Sequence, residues 1–261
     1  MMKIVLPILC VALLCTPAAA LPFSDDFEGG VNSAVWTKWS GANQEILQTD
    51  GSHNITPGGL LSARAHAADP TGYSAFADFG AHGGPLRADV YLFEDLNEPG
   101  TDPNRPVTNM LALFGAAPHP NNFTDYLQLG VVPFFPGGSM SYGFRTRYND
   151  ANGLGIIGTA VPRKSGWTKL SIEADAYADG GAVRFFIDDL LVGNSFRAGA
   201  NGGAGGLSEV DLQFVRLGNN SKSYENFWYD DVSVIPEPAS ILLLSFGGLA
   251  FARRRARNAR A

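Results

Sequence analysis

From residue 168 to residue 176 the chain alternates. Thr168, Leu170, Ile172, Ala174 and Ala176 fall on one face of an extended backbone, and Lys169, Ser171, Glu173 and Asp175 on the other. The same period of two returns where Val183, Phe185 and Ile187 alternate with Arg184, Phe186 and Asp188. It returns again where Val210, Leu212 and Phe214 alternate with Asp211, Gln213 and Val215. Shorter runs predict further strands over 44–49, 60–64, 74–79, 86–93, 110–114, 126–132, 139–148, 154–159 and 227–234. Gly, Pro and Asn separate them, and the chain holds 31 glycines, enough to turn after every strand. Between residues 21 and 235 no segment has the period of a long amphipathic helix. The pattern predicts an all-β protein of short antiparallel strands, a sandwich or a barrel. Residues 94–106, polar and proline-rich, and 199–206, a glycine tract, are predicted rim loops, where specificity tends to reside. No fixed-period repeat points to a solenoid.

Two apolar runs lie outside this pattern. At the start, Lys3, the stretch 4–14 and Ala18-Ala19-Ala20 make a signal peptide over 1–20, removed by signal peptidase before Leu21. Cys10 and Cys15 leave with it, which excludes disulfides and thiol chemistry from the exported part. A lipid anchor at either cysteine is not expected, because Leu9 and Leu14 precede them where a small residue is needed. At the other end, residues 236–261 read Pro236-Glu237-Pro238, an apolar segment 239–252, and a basic tail 253–261 with Arg253, Arg254, Arg255 and Arg257. The 14 apolar residues would span roughly 21 Å as a helix. That is short of the roughly 30 Å hydrocarbon core, so the segment predicts a thin membrane helix. The arginines stay cytoplasmic and place residues 21–235 outside.

This order of tripeptide, apolar segment and basic stop resembles the PEP-CTERM sorting signal of Gram-negative, exopolysaccharide-producing bacteria. The resemblance implies that exosortase, a membrane protease-transpeptidase, recognises Pro236-Glu237-Pro238 and removes the helix. The protein would then be exported across the inner membrane, anchored transiently, and left at the cell surface or outside the cell.

Charge narrows the partners. Residues 21–235 carry 13 basic and 24 acidic side chains, a net charge of −11. Nucleic acid and anionic phospholipid need a positive footprint and are disfavoured. Neutral glycans, divalent cations or plain solubility remain compatible.

Three stretches carry a second resemblance: 23–29 with Trp36 and Trp39 after it; 166–173 followed by 183–193; and 227–234. Together they resemble the concanavalin A-like lectin/glucanase (laminin-G-like) family, with Asp189 where its hairpin glycine usually sits. The resemblance implies a two-sheet antiparallel jelly-roll sandwich over 21–235, with its first and last strands side by side. Such folds host enzymes, lectins and structural modules alike.

Glucanases of this kind share a Glu-x-Asp-x-x-Glu strand, whose two glutamates sit about 5–5.5 Å apart for double displacement. The counterpart here runs from Glu173 through Asp175 to Ala178, which replaces the second glutamate. No catalytic residue is predicted, and Glu173 and Asp175 are expected on a solvated face. Asp188-Asp189 is expected in a turn. His53, His66, His82 and His119 lack zinc spacing, and no G-x-S-x-G occurs. The resemblance places Asp26 and Asp230 at a structural Ca2+ site. Simple alternation puts Asp230 on one face with Trp228, Val232 and Val234, where an inward carboxylate needs a partner such as calcium or an arginine. The remaining reading leaves it exposed at a sheet edge. Tyr142, Phe144 and Tyr148, with arginine and asparagine nearby, form a candidate sugar platform, although aromatics on an alternating strand are commonly core. Phe134-Phe135 between two prolines forms a candidate exposed tip. The expected function is an exported, non-catalytic surface or matrix protein with extracellular polysaccharide as candidate partner. The alternatives are a glycan-cleaving enzyme with another constellation, or a purely structural matrix protein.

Overall fold

A computed structural model describes residues 22–38, 44–65, 72–97, 109–115, 126–131, 141–146, 157–176, 181–196, 211–218 and 226–236. These form strands β1 (Phe23–Asp25), β2 (Thr37–Lys38), β3 (Gln44–Glu45), β4 (Gln48–Asp50), β5 (Ser62–Ala65), β6 (Gly72–His82), β7 (Leu86–Glu94) and β8 (Asn109–Gly115). They continue with β9 (Tyr126–Val131), β10 (Ser141–Arg145), β11 (Ile157–Pro162), β12 (Gly166–Ala174), β13 (Ala182–Ile187), β14 (Leu190–Phe196), β15 (Leu212–Gly218) and β16 (Phe227–Pro236). There is no helix among the described residues.

The strands make two sheets. The back sheet runs β14-β13-β12-β7-β16-β5-β4, with β1 beside β16. The front sheet runs β11-β10-β9-β8-β15-β6-β2, with β3 added parallel to β6. Neighbours are mostly distant in sequence and all other pairings are antiparallel, which is a jelly-roll sandwich. First and last strands lie together as expected, with Phe23 opposite Val234.

Alternation decides what fills the space between the sheets. On β7, Leu86, Ala88, Val90 and Leu92 point inward while Arg87, Asp89, Tyr91 and Phe93 point out. Leu170, Ile172 and Ala174 of β12 and Val183, Phe185 and Ile187 of β13 join the same core, as their period predicts. Burying each of the leucine, isoleucine, valine and phenylalanine side chains stabilises the fold by about 1.5–3 kcal/mol. Asp188 and Asp189, at φ 49° and 62°, form the two-residue turn between β13 and β14.

Two bulges overturn simple alternation. On β15 the register shifts between Leu212 and Phe214. Leu212, Val215 and Leu217 therefore face the core, and Phe214 packs on the outside of the front sheet with Phe114. On β16 it shifts between Asp230 and Ser233, with Asp231 at φ 47°. Trp228 and Asp230 consequently pair with the outward Phe93 and Tyr91, while Val232 and Val234 enter the core. Asp230 does not share a face with Val232 and Val234.

Candidate functional site

Several sequence-predicted residues sit elsewhere than their candidate roles require. Tyr142 and Phe144 point into the core: the Tyr142 hydroxyl donates to Glu94 Oε1 at 2.6 Å, and Phe144 stacks on Phe185 at 4.5 Å between centroids. Burial, reinforced by the Glu94 carboxylate, pushes the Tyr142 pKa upward. Neither ring presents a face to a sugar, because the apolar face of β10 is needed for the core. Tyr148, Phe134, Phe135 and Ala178 lie outside the described residues, as do 1–20, Glu237, Pro238, the segment 239–252, and Arg253, Arg254, Arg255 and Arg257. No described helix is long and apolar enough to cross a membrane. Pro236 is the last residue of β16.

Glu173 and Asp175 face outward from the back sheet, as expected, and are held by cations. Glu173 accepts from Arg87 at 2.7 Å and from Arg184 at 3.1 Å; Asp175 accepts two bonds from Arg184, at 3.1 and 2.7 Å. Asp89, Lys169 and Asp189 extend this into a lattice of paired charge.

Asp230 lies at the β16 bulge. Asp230 accepts from the backbone N–H groups of Ile55 and Asp231, both at 2.9 Å. Burial raises its pKa, and these N–H groups oppose the rise. Asp26 accepts from Glu28 N at 3.1 Å and lines a cleft with Asp25, Asp231 and Ser233 that does not include Asp230. A carboxylate turned onto N–H donors is not presented to a cation, so Asp230 does not fit the implied calcium ligand. Among the described residues no three acidic or histidine side chains gather as a metal site.

The outer face of the front sheet is differently built. One cross-strand row reads Phe76, Arg216, Ala112, Gln128, Arg145 across β6, β15, β8, β9 and β10. On one side of it lies Asp78, Phe214, Phe114, Tyr126; on the other, Ser74, Gly218, Met110, Gly130, Gly143. Thus a row holding Arg216, Gln128 and Arg145 runs between one that is mostly aromatic and one that is mostly glycine. Neighbouring strands are about 4.8 Å apart, so Arg216 and Arg145 start roughly 14 Å from each other. Their side chains converge on Tyr126. Arg216 donates to its hydroxyl at 3.4 Å and to Ser74 Oγ at 3.2 Å, and the Arg145 guanidinium lies 5.1 Å from its ring centre. Arg145 Nε also donates to Gln128 Oε1 at 2.6 Å, which turns the Gln128 amide nitrogen the other way. That nitrogen is buried with no hydrogen-bond partner. Guanidiniums and an amide NH2 only donate, and both arginines stay charged when buried. Across these five strands Asp78 is the one carboxylate, bonded to Gln213 at 2.9 Å. The described strands thus gather two arginines and a donor-bearing amide in one polar layer that is itself almost sealed from water, with Arg216 1%, Arg145 7%, and Gln128 and Tyr126 0% exposed.

Arg145 was near the candidate platform in sequence; Gln128 and Arg216 were missed. The available signal was a single polar residue inside an otherwise apolar strand, as in Tyr126-Leu127-Gln128-Leu129.

The two sheets and their order define a concanavalin A-like jelly roll. Similar solved structures include an endo-1,3-β-glucanase from Streptomyces sioyaensis (15% identity, 84% of this chain and 98% of that one, TM-score 0.54). They also include an alginate lyase, Aly36B, in complex with alginate trisaccharide (10% identity, 85% and 100% covered, TM-score 0.54). A third is the cellulose induced protein Cip1 (12% identity, 82% and 97% covered, TM-score 0.53). At these identities the likeness is one of fold. No curated protein matches the sequence. Residues 234–257 match the PEP-CTERM protein-sorting motif, so the chain carries a C-terminal sorting signal for the cell envelope or surface.

Proposed function

We propose that the protein is exported across the inner membrane of a Gram-negative bacterium, processed by exosortase at Pro236-Glu237-Pro238, and left at the cell surface or in the extracellular matrix. There its front sheet binds a glycan bearing acidic groups, without cleaving it. The observation that carries the binding half is the convergence of Arg216, Arg145 and the Gln128 amide beside Tyr126. A carboxylated or sulfated sugar that reaches this buried layer supplies acceptors to its donors. The glucanase and lyase neighbours support a sugar-handling fold, and the match over 234–257 supports the sorting half.

Electrophoresis of the 21–235 domain through gels containing a uronate polymer or a neutral β-glucan tests the binding. Retardation in the acidic gel alone is expected, with loss in Arg145→Ala. Equal retardation in both removes the acidic preference, retardation in neither favours a structural matrix role, and new chain ends in the polymer show an enzyme. Mass spectrometry of the mature C-terminus tests the sorting: an intact arginine tail in normal cells sinks it.

A further inference from the structure

The two sides of the sandwich are finished differently. On one side the sheets end in β4 and β2, strands of three and two residues that carry Asp50 and Lys38. On the other they end in β14 and β11, which lie against each other, are seven and six residues long, and hold no charged residue. Leu190, Leu191 and Phe196 of β14 and Ile157 of β11 are four of the seven large apolar side chains exposed among the described residues. Shortness and charge keep a sheet edge from pairing with another chain, and this edge has neither. β14 pairs with β13 on one side, and among the described residues no strand lies on its other. The sandwich fixes its faces: Gly193 lies against the Phe144 ring, and Ser195 Oγ is 3.3 Å from Thr146 Oγ1, both toward the front sheet. Asn194 and Phe196 therefore point outward. A register shift between Phe185 and Phe186 inserts Val192, so Leu191, opposite the outward Phe186, points outward as well.

We propose that β14 adds antiparallel to β14 of a second copy of this chain, joining two back sheets into one across a two-fold axis. The matching register puts Asn194 on the axis, opposite its own copy, and Gly193 opposite Ser195. Past the Val192 insertion it sets Leu191 opposite Phe196. Each outward apolar side chain of one strand then covers one of the other, and the small inward residues meet. An isologous contact uses one surface twice, so it needs this fit of a strand to itself. An uncharged strip also suits an uncharged partner. Two domains of net charge −11 repel each other, and this side lets them approach without setting like charges face to face. Addition of β14 to the far edge of another copy is the poorer pairing, since β4 offers three residues and a carboxylate. The pair is therefore closed and does not grow into a fibre. Both front sheets of the dimer face the same way, so one polymer engages two binding faces. That consequence rests on the glycan reading, and the pairing itself does not.

Disulfide trapping in the full-length chain tests this. Paired residues on adjoining antiparallel strands have Cα atoms about 4.5–5.5 Å apart, within the reach of a disulfide. The sequence has no cysteine after Cys15, and wild type is the control for Cys10 and Cys15. Asn194→Cys is expected to run as a reducible dimer on a non-reducing gel. Wild type and Gln48→Cys, exposed on the opposite edge, are expected to run as monomers. Adding Leu191→Lys to Asn194→Cys should abolish the dimer band. Leu191 and Asn194 are both exposed, so neither change disturbs the core. Sedimentation of the purified wild type gives a reading that needs no variant: a dimer is expected, and Leu191→Lys should convert it to monomer. A monomeric wild type overturns the pairing, as does a cross-link from Asn194→Cys no stronger than that from Gln48→Cys. A dimer that persists with Leu191→Lys places the contact elsewhere and overturns it too.

Discussion

Arg163 donates from Nε to Glu94 Oε2 at 2.6 Å, with both side chains essentially sealed from water, at 0% and 1% exposed. Tyr142 of the front sheet bonds the other oxygen of Glu94, a back-sheet residue, so the pair ties the two layers together. Burial pushes the Glu94 carboxyl upward, and Arg163 and Tyr142 pull it back. Removing one partner strands a buried charge, at a cost of about 3–5 kcal/mol. Arg163→Met is therefore expected to lower the urea midpoint strongly, and the double change Glu94→Leu with Arg163→Met to recover most of the loss. A single variant as stable as wild type would refute this account.

A second expectation concerns Gly193 on β14. A Cβ there would collide with the ring of Phe144, which is fixed by its stack on Phe185. Gly193→Ala should cost about 1–3 kcal/mol through overpacking. Pairing it with Phe144→Leu should return part of that, as chemical denaturation of the two single variants and the double would show.

Acid sensitivity is expected at Asp50. Burial works to raise its pKa, but Ser52, Trp228 and Arg64 outweigh it and hold the carboxyl at about 2, below an ordinary value of 3.8. A lowered folded-state pKa gives stability that is present above the ordinary value and lost as pH falls through the folded one. The melting temperature should decline between about pH 4 and pH 2, and Asp50→Asn should flatten that decline. Parallel curves for the two proteins would remove Asp50 as the cause.

Metal removal gives a fourth expectation. With Asp230 occupied by Ile55 and Asp231 N–H groups, a chelator should leave the melting temperature unchanged, whereas Asp230→Ala should lower it by freeing the 55–56 loop. A melt that drops with chelator and returns with Ca2+ would show that the protein binds a stabilising cation and would overturn this expectation.

Legibility of the chain followed regularity. Wherever side chains alternated without interruption, as on β12 and β13, the buried face could be assigned from sequence alone. Two inserted residues defeated the same rule. The bulge on β15 separates Leu212 from Phe214, and that on β16 takes Asp230 off the face of Val232. A bulge changes parity without changing composition, so nothing in the local sequence marks it. The platform at Tyr142 and Phe144 failed for a related reason: alternation says which residues share a face, and not which face meets the core.

What the sequence determined by itself was the strand content, the β13–β14 turn, the sorting signal at 234–257, and the want of a second glutamate after Asp175. These depend on neighbours along the chain. Tertiary structure alone decided that Arg216, Gln128 and Arg145, up to 88 positions apart in sequence, fall in one row. It also decided that the sorting tripeptide begins inside β16. Both follow from strand order and register, which are set by how two sheets close over a shared core and cannot be derived from any one segment.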